Sequence, residues 1–206
     1  MAKLNLDFSD YHRTIIGYHG TSLVHADRLV AGEAFEKSDN DNEWFGKGVY
    51  FWEHAPKQAW WWAKEIRKHK HPAVVGAIIR LGNCFDLLDT ANVKILKEFY
   101  AMTAEKADSS GNPLPENYRR HMRLDCAIFN MFYGFVDESK TPIDSARGVY
   151  VPTDTKKRIW KGSWLYDDSH IQICVRNTRS ILAVWHVRQD GHYGRPSQKA
   201  EAGQSV

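Results

Sequence analysis

Tyr18-His19-Gly20-Thr21, then Phe45-Gly46-Lys47-Gly48-Val49-Tyr50-Phe51-Trp52, then Pro56-Lys57-Gln58-Ala59-Trp60-Trp61-Trp62-Ala63, is the stretch whose reading decides the fold. A His-Gly step, a Gly-x-Gly-x-Tyr strand and an aromatic-rich helix together build a narrow slot. One wall is backbone, the second a tyrosine, the third an aromatic on the helix. Glycine suits the backbone wall because nothing projects from it. Such a slot fits a planar ring carrying an amide, of which nicotinamide is an example.

Local patterns extend outward from this core. Residues 14–17 read as a short strand ending at the His-Gly turn. Thr21 or Ser22 caps a helix through about Ala31, with Leu23, Ala26, Leu29 and Val30 on one face and Gly32 as its stop. The polar segment 38–43 precedes the glycine pair as a loop able to cover a ligand. Pro56 opens a helix reaching about His69. Residues 73–81 read as a buried strand, Gly82-Asn83 as a turn, and 84–87 as a second short strand. Helical patterns follow over 92–102 and 117–132, with a surface loop at 108–113. Strands are expected at 148–151, 171–175 and 181–187. Short strands with helices inserted between them indicate an α+β class rather than a regular βαβ alternation.

The chain has 206 residues, enough for one domain of ordinary size. Residues 1–188 read as that single domain, and 189–206 as a polar, disordered tail. The three cysteines, Cys84, Cys126 and Cys174, are widely spaced and lack a CxxC pair. This argues against a disulfide framework or a structural zinc site and for a reducing cytoplasm. His69 and His71 flank Lys70 and do not share a helical face, so no metal site is expected. No apolar run approaches membrane-spanning length, so no membrane partner is expected. The formal charge of +3 permits a nucleic-acid partner without requiring one. Two basic runs, Lys156-Lys157-Arg158-Ile159-Trp160-Lys161 and Arg119-Arg120-His121-Met122-Arg123, carry the cations that could face phosphates.

Taken in order, these motifs resemble the NAD-binding half of the ADP-ribosyltransferase fold, in its poly(ADP-ribose) polymerase-like branch. The resemblance rests on His19-Gly20-Thr21, on Gly46-Lys47-Gly48-Val49-Tyr50-Phe51, on Gln58 and Trp61, and on residues 78–87, which look like that family's strand-Gly-Asn-strand. It resumes at Tyr166–Val175, where the family has a strand opening with its catalytic glutamate. Residues 90–165 look like an insertion. The resemblance implies two packed mixed or antiparallel sheets with peripheral helices and a helical insertion.

It also implies roles. NAD would be the co-substrate. Gly20 would hold the nicotinamide carboxamide through its backbone, His19 a ribose hydroxyl, and Thr21 a further hydroxyl contact. Tyr50 and Trp61 would stack on the ring, with Gln58 near the carboxamide. Trp60 and Trp62 fall on other helix faces. The position of the family's glutamate is Gln172 here, a neutral amide that can accept a hydrogen bond but supplies no charge. Asp167, Asp168, Glu43 and His170 are nearby candidates to activate an acceptor. The catalytic set is then His19, Tyr50 and Gln172, and the implied reaction is mono-ADP-ribosylation of an intracellular macromolecule, RNA or DNA slightly ahead of protein. The compact form resembles small bacterial or phage transferases, many of them toxins paired with an antitoxin or used in antiphage defence. Alternatives are a non-catalytic NAD, ADP-ribose or RNA binding module, an NAD glycohydrolase and, further off, an RNA 2′-phosphotransferase.

Overall fold

The computed structural model describes residues 10–40, 43–118, 121–138, 142–152 and 154–188. The polar tail expected over 189–206 lies outside the described residues, as do Asp41, Asn42, Arg119 and Arg120. Among the described residues are six strands, β1 (Asp10–Ser22), β2 (Val49–Glu53), β3 (Pro72–Asp86), β4 (Ser145–Tyr150), β5 (His170–Val175) and β6 (Ile181–His186), and four α-helices, α1 (Leu23–Val30), α2 (Pro56–Trp61), α3 (Thr90–Ser110) and α4 (Arg123–Glu138), the last two inserted together between β3 and β4. The class is α+β, as the sequence indicates.

The expectation of two packed sheets is corrected. The strands form one six-stranded sheet in the order β1-β2-β5-β4-β3-β6, and β1 also pairs with β3. Five strands therefore close into a ring, with β6 appended. The length of β3 makes this possible. One edge of β3 pairs with β1 nearly throughout, while the other takes β6 at Val75–Ile79 and β4 at Cys84–Asp86. Among the described residues only the β3–β4 pair is parallel. Two short strands expected over 73–87 are thus one strand with a kink. Gly82 adopts a φ of +62°, and the Asp144 carboxylate sits where a β-carbon would be. The same carboxylate accepts from Asn83 N at 2.9 Å, so the ladder bends there without breaking.

Alternating side chains fill the ring. Ile15, Val49, Phe51, Ile79, Leu81 and Ile173 form its inner core. On the outer face α3 and α4 bring Phe99, Phe129, Phe132 and Val136 onto Phe85, Ala146 and Cys174. Helix α1 lays Ala26 and Leu29 on Ala73 and Val75. Three helix boundaries differ from expectation, each for a local reason. Helix α3 runs on to Ser110 because 104–107 are good helix formers, Ser109 and Ser110 bond back to the carbonyls of Glu105 and Ala107, and Gly111 ends it at φ +71°. Helix α4 starts at Arg123 because Asn117 stands outside it and caps it, its Oδ1 accepting from Leu124 N at 2.9 Å. The α2 helix stops at Trp61 and continues as a π-helical turn, Trp62–Ile66.

A buried ion network locks one end of the ring. Arg147 on β4, 4% exposed, donates to both carboxylate oxygens of Glu53 at the end of β2 (2.6 and 3.1 Å) and to Asp86 at the end of β3 (3.0 Å). The fork geometry satisfies both carboxylates at once. Removing only the arginine strands the buried Asp86 charge and leaves Glu53 with the longer Arg13 contact at 3.7 Å. We expect Arg147→Met to lower stability by about 3–5 kcal/mol in urea denaturation, whereas the triple change Arg147→Met, Glu53→Gln, Asp86→Asn should recover a large part of that loss.

Candidate functional site

The site begins where two strands part. The β1–β2 pairing covers Gly17↔Glu53 and Tyr18↔Trp52 and goes no further, whereas β1 stays on β3 to Ser22. Continuing the β1–β2 register would set Gly20 opposite Tyr50. Leu23 N donates to His71 O at 2.8 Å. Counting back along the alternating ladder, Thr21 and His19 also bond toward β3, and Gly20 turns its N–H and C=O to the opposite edge. The neighbouring bonds agree: Val74, which faces Gly20, spends its carbonyl on Val187 N (3.0 Å), and Ile16 O accepts from His54 N of the β2 end (3.1 Å). The backbone of Gly20 therefore looks into the seam that β2 has left.

Glycine is also required there by packing. A β-carbon on residue 20 would collide with the Ala59 carbonyl and lie 3.2 Å from the Ala63 β-carbon. Helix α2 thus seats directly on the strand. Its Tyr18–Trp52–Ala59 cluster is joined by the partly buried Trp60 and Trp62. Trp61 points away and is 43% exposed. Gln58, one helical turn before it, is half-buried on the same flank.

Across the seam His19 makes a side-chain rung. Its Nδ1–H donates to Tyr50 O at 2.8 Å, and its ring lies among Phe35 and Phe51. Burial, reinforced by the charges of His25, Arg67 and His69 against the single favourable backbone bond, lowers its pKa to about 4. It is neutral at physiological pH. Thr21, two residues on, is buried on the same inner face. Gly20 lies against α2, whereas the Tyr50 side chain, on the face of β2 opposite Val49 and Phe51, packs on the α3–α4 cluster. The Tyr50 hydroxyl donates to Gly46 O (2.7 Å) and accepts from Phe45 N (3.0 Å), which fixes its ring against the glycine turn. Burial pushes its pKa far up, so it acts as a neutral wall.

Gln172 is held at both ends. Trp44 Nε1–H donates to its Oε1 at 2.6 Å, and its Nε2 lies 3.0 Å from His170 Nε2. His170 Nδ1 lies 2.6 Å from the Asp168 carbonyl, an acceptor only, so Nδ1 carries the proton and Nε2 accepts from the glutamine amide. Burial lowers the pKa of His170, which favours this neutral tautomer. Tyr150 stacks on the His170 ring at 4.9 Å. One lone pair of Oε1 and one amide hydrogen of Gln172 remain for a ligand.

Among the candidate acids, the Asp168 carboxylate is ion-paired with Lys157. Glu43 accepts from the Ser38 hydroxyl, burial raises its pKa, and it is near enough to Tyr50 and Cys174 to act on both electrostatically. The loop expected to cover a ligand is tied down at its ends by the Ser38↔Gly48 bridge and the Lys47–Asp39 ion pair. Sequence reasoning missed Trp44, whose partner Gln172 is 128 positions away. It also missed the buried Trp52 Nε1, which has no acceptor among the described residues. Among those residues no three His, Cys, Asp or Glu side chains gather as for a metal, and no helix is long and apolar enough to cross a membrane. The cysteines are buried and form no disulfide among the described residues, and burial pushes the Cys84 and Cys174 thiols up to about 12.

No protein-family model matches the chain, and no solved structure is detectably similar to it. An uncharacterized protein of Methanocaldococcus jannaschii is 26% identical over 134 residues, 64% of this chain. The chain spans about half of that protein's length (49%).

The histidine rung gives a pH signature. The folded pKa of His19 lies below its unfolded value, so the unfolded chain takes the proton first. Stability is complete above pH 7 and falls as pH drops from 6.5 toward 4. This residue alone should remove about 3 kcal/mol over that window. Denaturation curves of the native protein and His19→Gln should therefore converge on acidification. Parallel curves would contradict the assignment.

Proposed function

We propose that this chain is an NAD-dependent mono-ADP-ribosyltransferase. The observation that supports the reading is the seam: among the described residues the backbone N–H and C=O of Gly20 turn to the edge that β2 has left, where Tyr50 would continue the register, and α2, which carries the exposed Trp61, packs on Gly20. A primary carboxamide offers one acceptor and two donors, the complement of a backbone N–H and C=O on one strand edge. Tyr50 is a fixed neutral ring, and Trp61 is an unpacked one. Nicotinamide therefore fits the donor set of the Gly20 edge. His19, on the inner side, has its Nε2 left as an acceptor for a ribose hydroxyl.

The reaction breaks the C1′–N bond between ribose and nicotinamide. The bonding pair leaves with nicotinamide, positive charge develops on the ribose through an oxocarbenium-like state, and an acceptor nucleophile adds at C1′. The spare Oε1 lone pair of Gln172 accepts from the 2′-hydroxyl and orients that ribose. Trp44 and His170 keep the amide from turning over. Gln172 brings no charge, which forgoes about 1.5–3 kcal/mol of stabilisation compared with a carboxylate. Glu43, with its raised pKa, is the group we assign to take the acceptor's proton. An uncharged Gln172 also fits transfer of a single unit better than chain elongation.

A second reading has its own support. Both ends of the Gln172 amide are already engaged, as in a binding site that holds NAD without turnover.

Incubation with ³²P-labelled NAD and offered protein, RNA and DNA separates these readings. The transferase reading expects label on one macromolecule class together with nicotinamide release. Trp61→Ala, exposed and therefore harmless to the fold, should weaken NAD binding roughly fivefold. Gln172→Ala should slow release roughly 10–100-fold with little change in affinity. Release without label means a glycohydrolase, and NAD binding with neither means the binding module.

A further inference from the structure

The link between β4 and β5 makes an excursion that the core does not need. Residues 157–167 fold back as a hairpin. Arg158 and Tyr166 form an antiparallel bridge, Asp167 N donates to Lys157 O (2.9 Å), and Ile159 N donates to Leu165 O (3.2 Å). Ser163 N closes the tip onto Trp160 O at 3.1 Å, with Gly162 at φ +81°. The hairpin turns its aromatics outward: Trp164 is 91% exposed and Trp160 62%. Large aromatics left in water beside one another mark a binding surface.

The charge is mostly positive. Residues 156–167 contain Lys156, Lys157, Arg158 and Lys161 against one carboxylate, Asp167 at the base. Lys157 is paired at the base with Asp168, and Arg158 lies over the Tyr166 ring at 5.7 Å. Lys156 and Lys161 are exposed on either side of Trp160. The base also leads straight into the candidate site, since the Asp168 that pairs with Lys157 gives its carbonyl to His170, and His170 holds Gln172.

We propose that hairpin 157–167 is a docking arm for single-stranded nucleic acid. Unstacked bases lie on Trp160 and Trp164, and phosphates meet Lys156 and Lys161. Aromatic faces interleaved with cations suit a single strand, whose bases are exposed, and not a duplex, whose bases are already stacked. An anionic bilayer would meet the same residue types, but the tip between the two tryptophans is Lys161-Gly162-Ser163, which would have to enter the hydrocarbon first. That the bound strand is also the acceptor rests on the transferase reading. The docking itself does not.

Fluorescence anisotropy of a labelled 15-nucleotide single strand, RNA and DNA in parallel, tests this on the full chain without NAD. Trp160→Ala and Trp164→Ala should each weaken binding at least about fivefold with unchanged thermal melting. Removing both Lys156 and Lys161 should flatten the salt slope by about 0.7 per lysine. Equal binding of a duplex, binding indifferent to both tryptophans, or no strand binding alongside binding to phosphatidylglycerol vesicles would overturn the proposal. Strand binding that needs the tryptophans, in a protein that places no label on nucleic acid, would uphold the arm and exclude the bound strand as the acceptor.

Discussion

Helix α2 rests its Ala59 carbonyl on strand β1 where residue 20 has no side chain, and the rest of the site depends on that contact. β1 leaves β2 after Tyr18 and continues along β3. The parting leaves the Gly20 peptide groups facing a gap and sets Tyr50 on its far side. The Nδ1–H of His19 bridges to Tyr50 O where the backbone rung is missing, so the seam is open but not loose. The closed ring behind it, tied by Arg147 to Glu53 and Asp86, keeps β2 from drifting away.

The second constraint is the chain of hydrogen bonds from Trp44 through Gln172 and His170 to the Asp168 carbonyl. It has a direction because a backbone carbonyl can only accept. That fixes the His170 tautomer, and through it the amide of Gln172. A carboxylate at this position would accept from Trp44 but face a second acceptor at His170 Nε2. The glutamine is thus matched to its neighbours, its amide donating to His170 and its oxygen accepting from Trp44.

Much of this was legible in the sequence. The order of strands and helices follows from patterning, and Ser22, Gly32 and Pro56 mark α1 and α2 where expected. Gly20 comes to lie under α2, and Tyr50 on the strand that β1 leaves, because β1, β2 and α2 are close in the chain. Thr21 is buried on the face that strand alternation gives it, the one it shares with His19. Ring closure was not legible. A kinked strand and two strands look alike when Gly82-Asn83 resembles a turn, and only the Asp144 carboxylate distinguishes them. Trp44 was invisible for a similar reason, because its meaning lies in a partner at the other end of the chain.

The central claim is that the seam between β1 and β2 takes a carboxamide-bearing ring. A ¹⁵N NMR titration with NAD tests it most directly. The account predicts saturable shifts of the Gly20 backbone amide and the Trp61 indole N–H, with α3 and α4 unaffected. Saturable shifts that leave Gly20 and Trp61 in place, or no shifts at all, would contradict it.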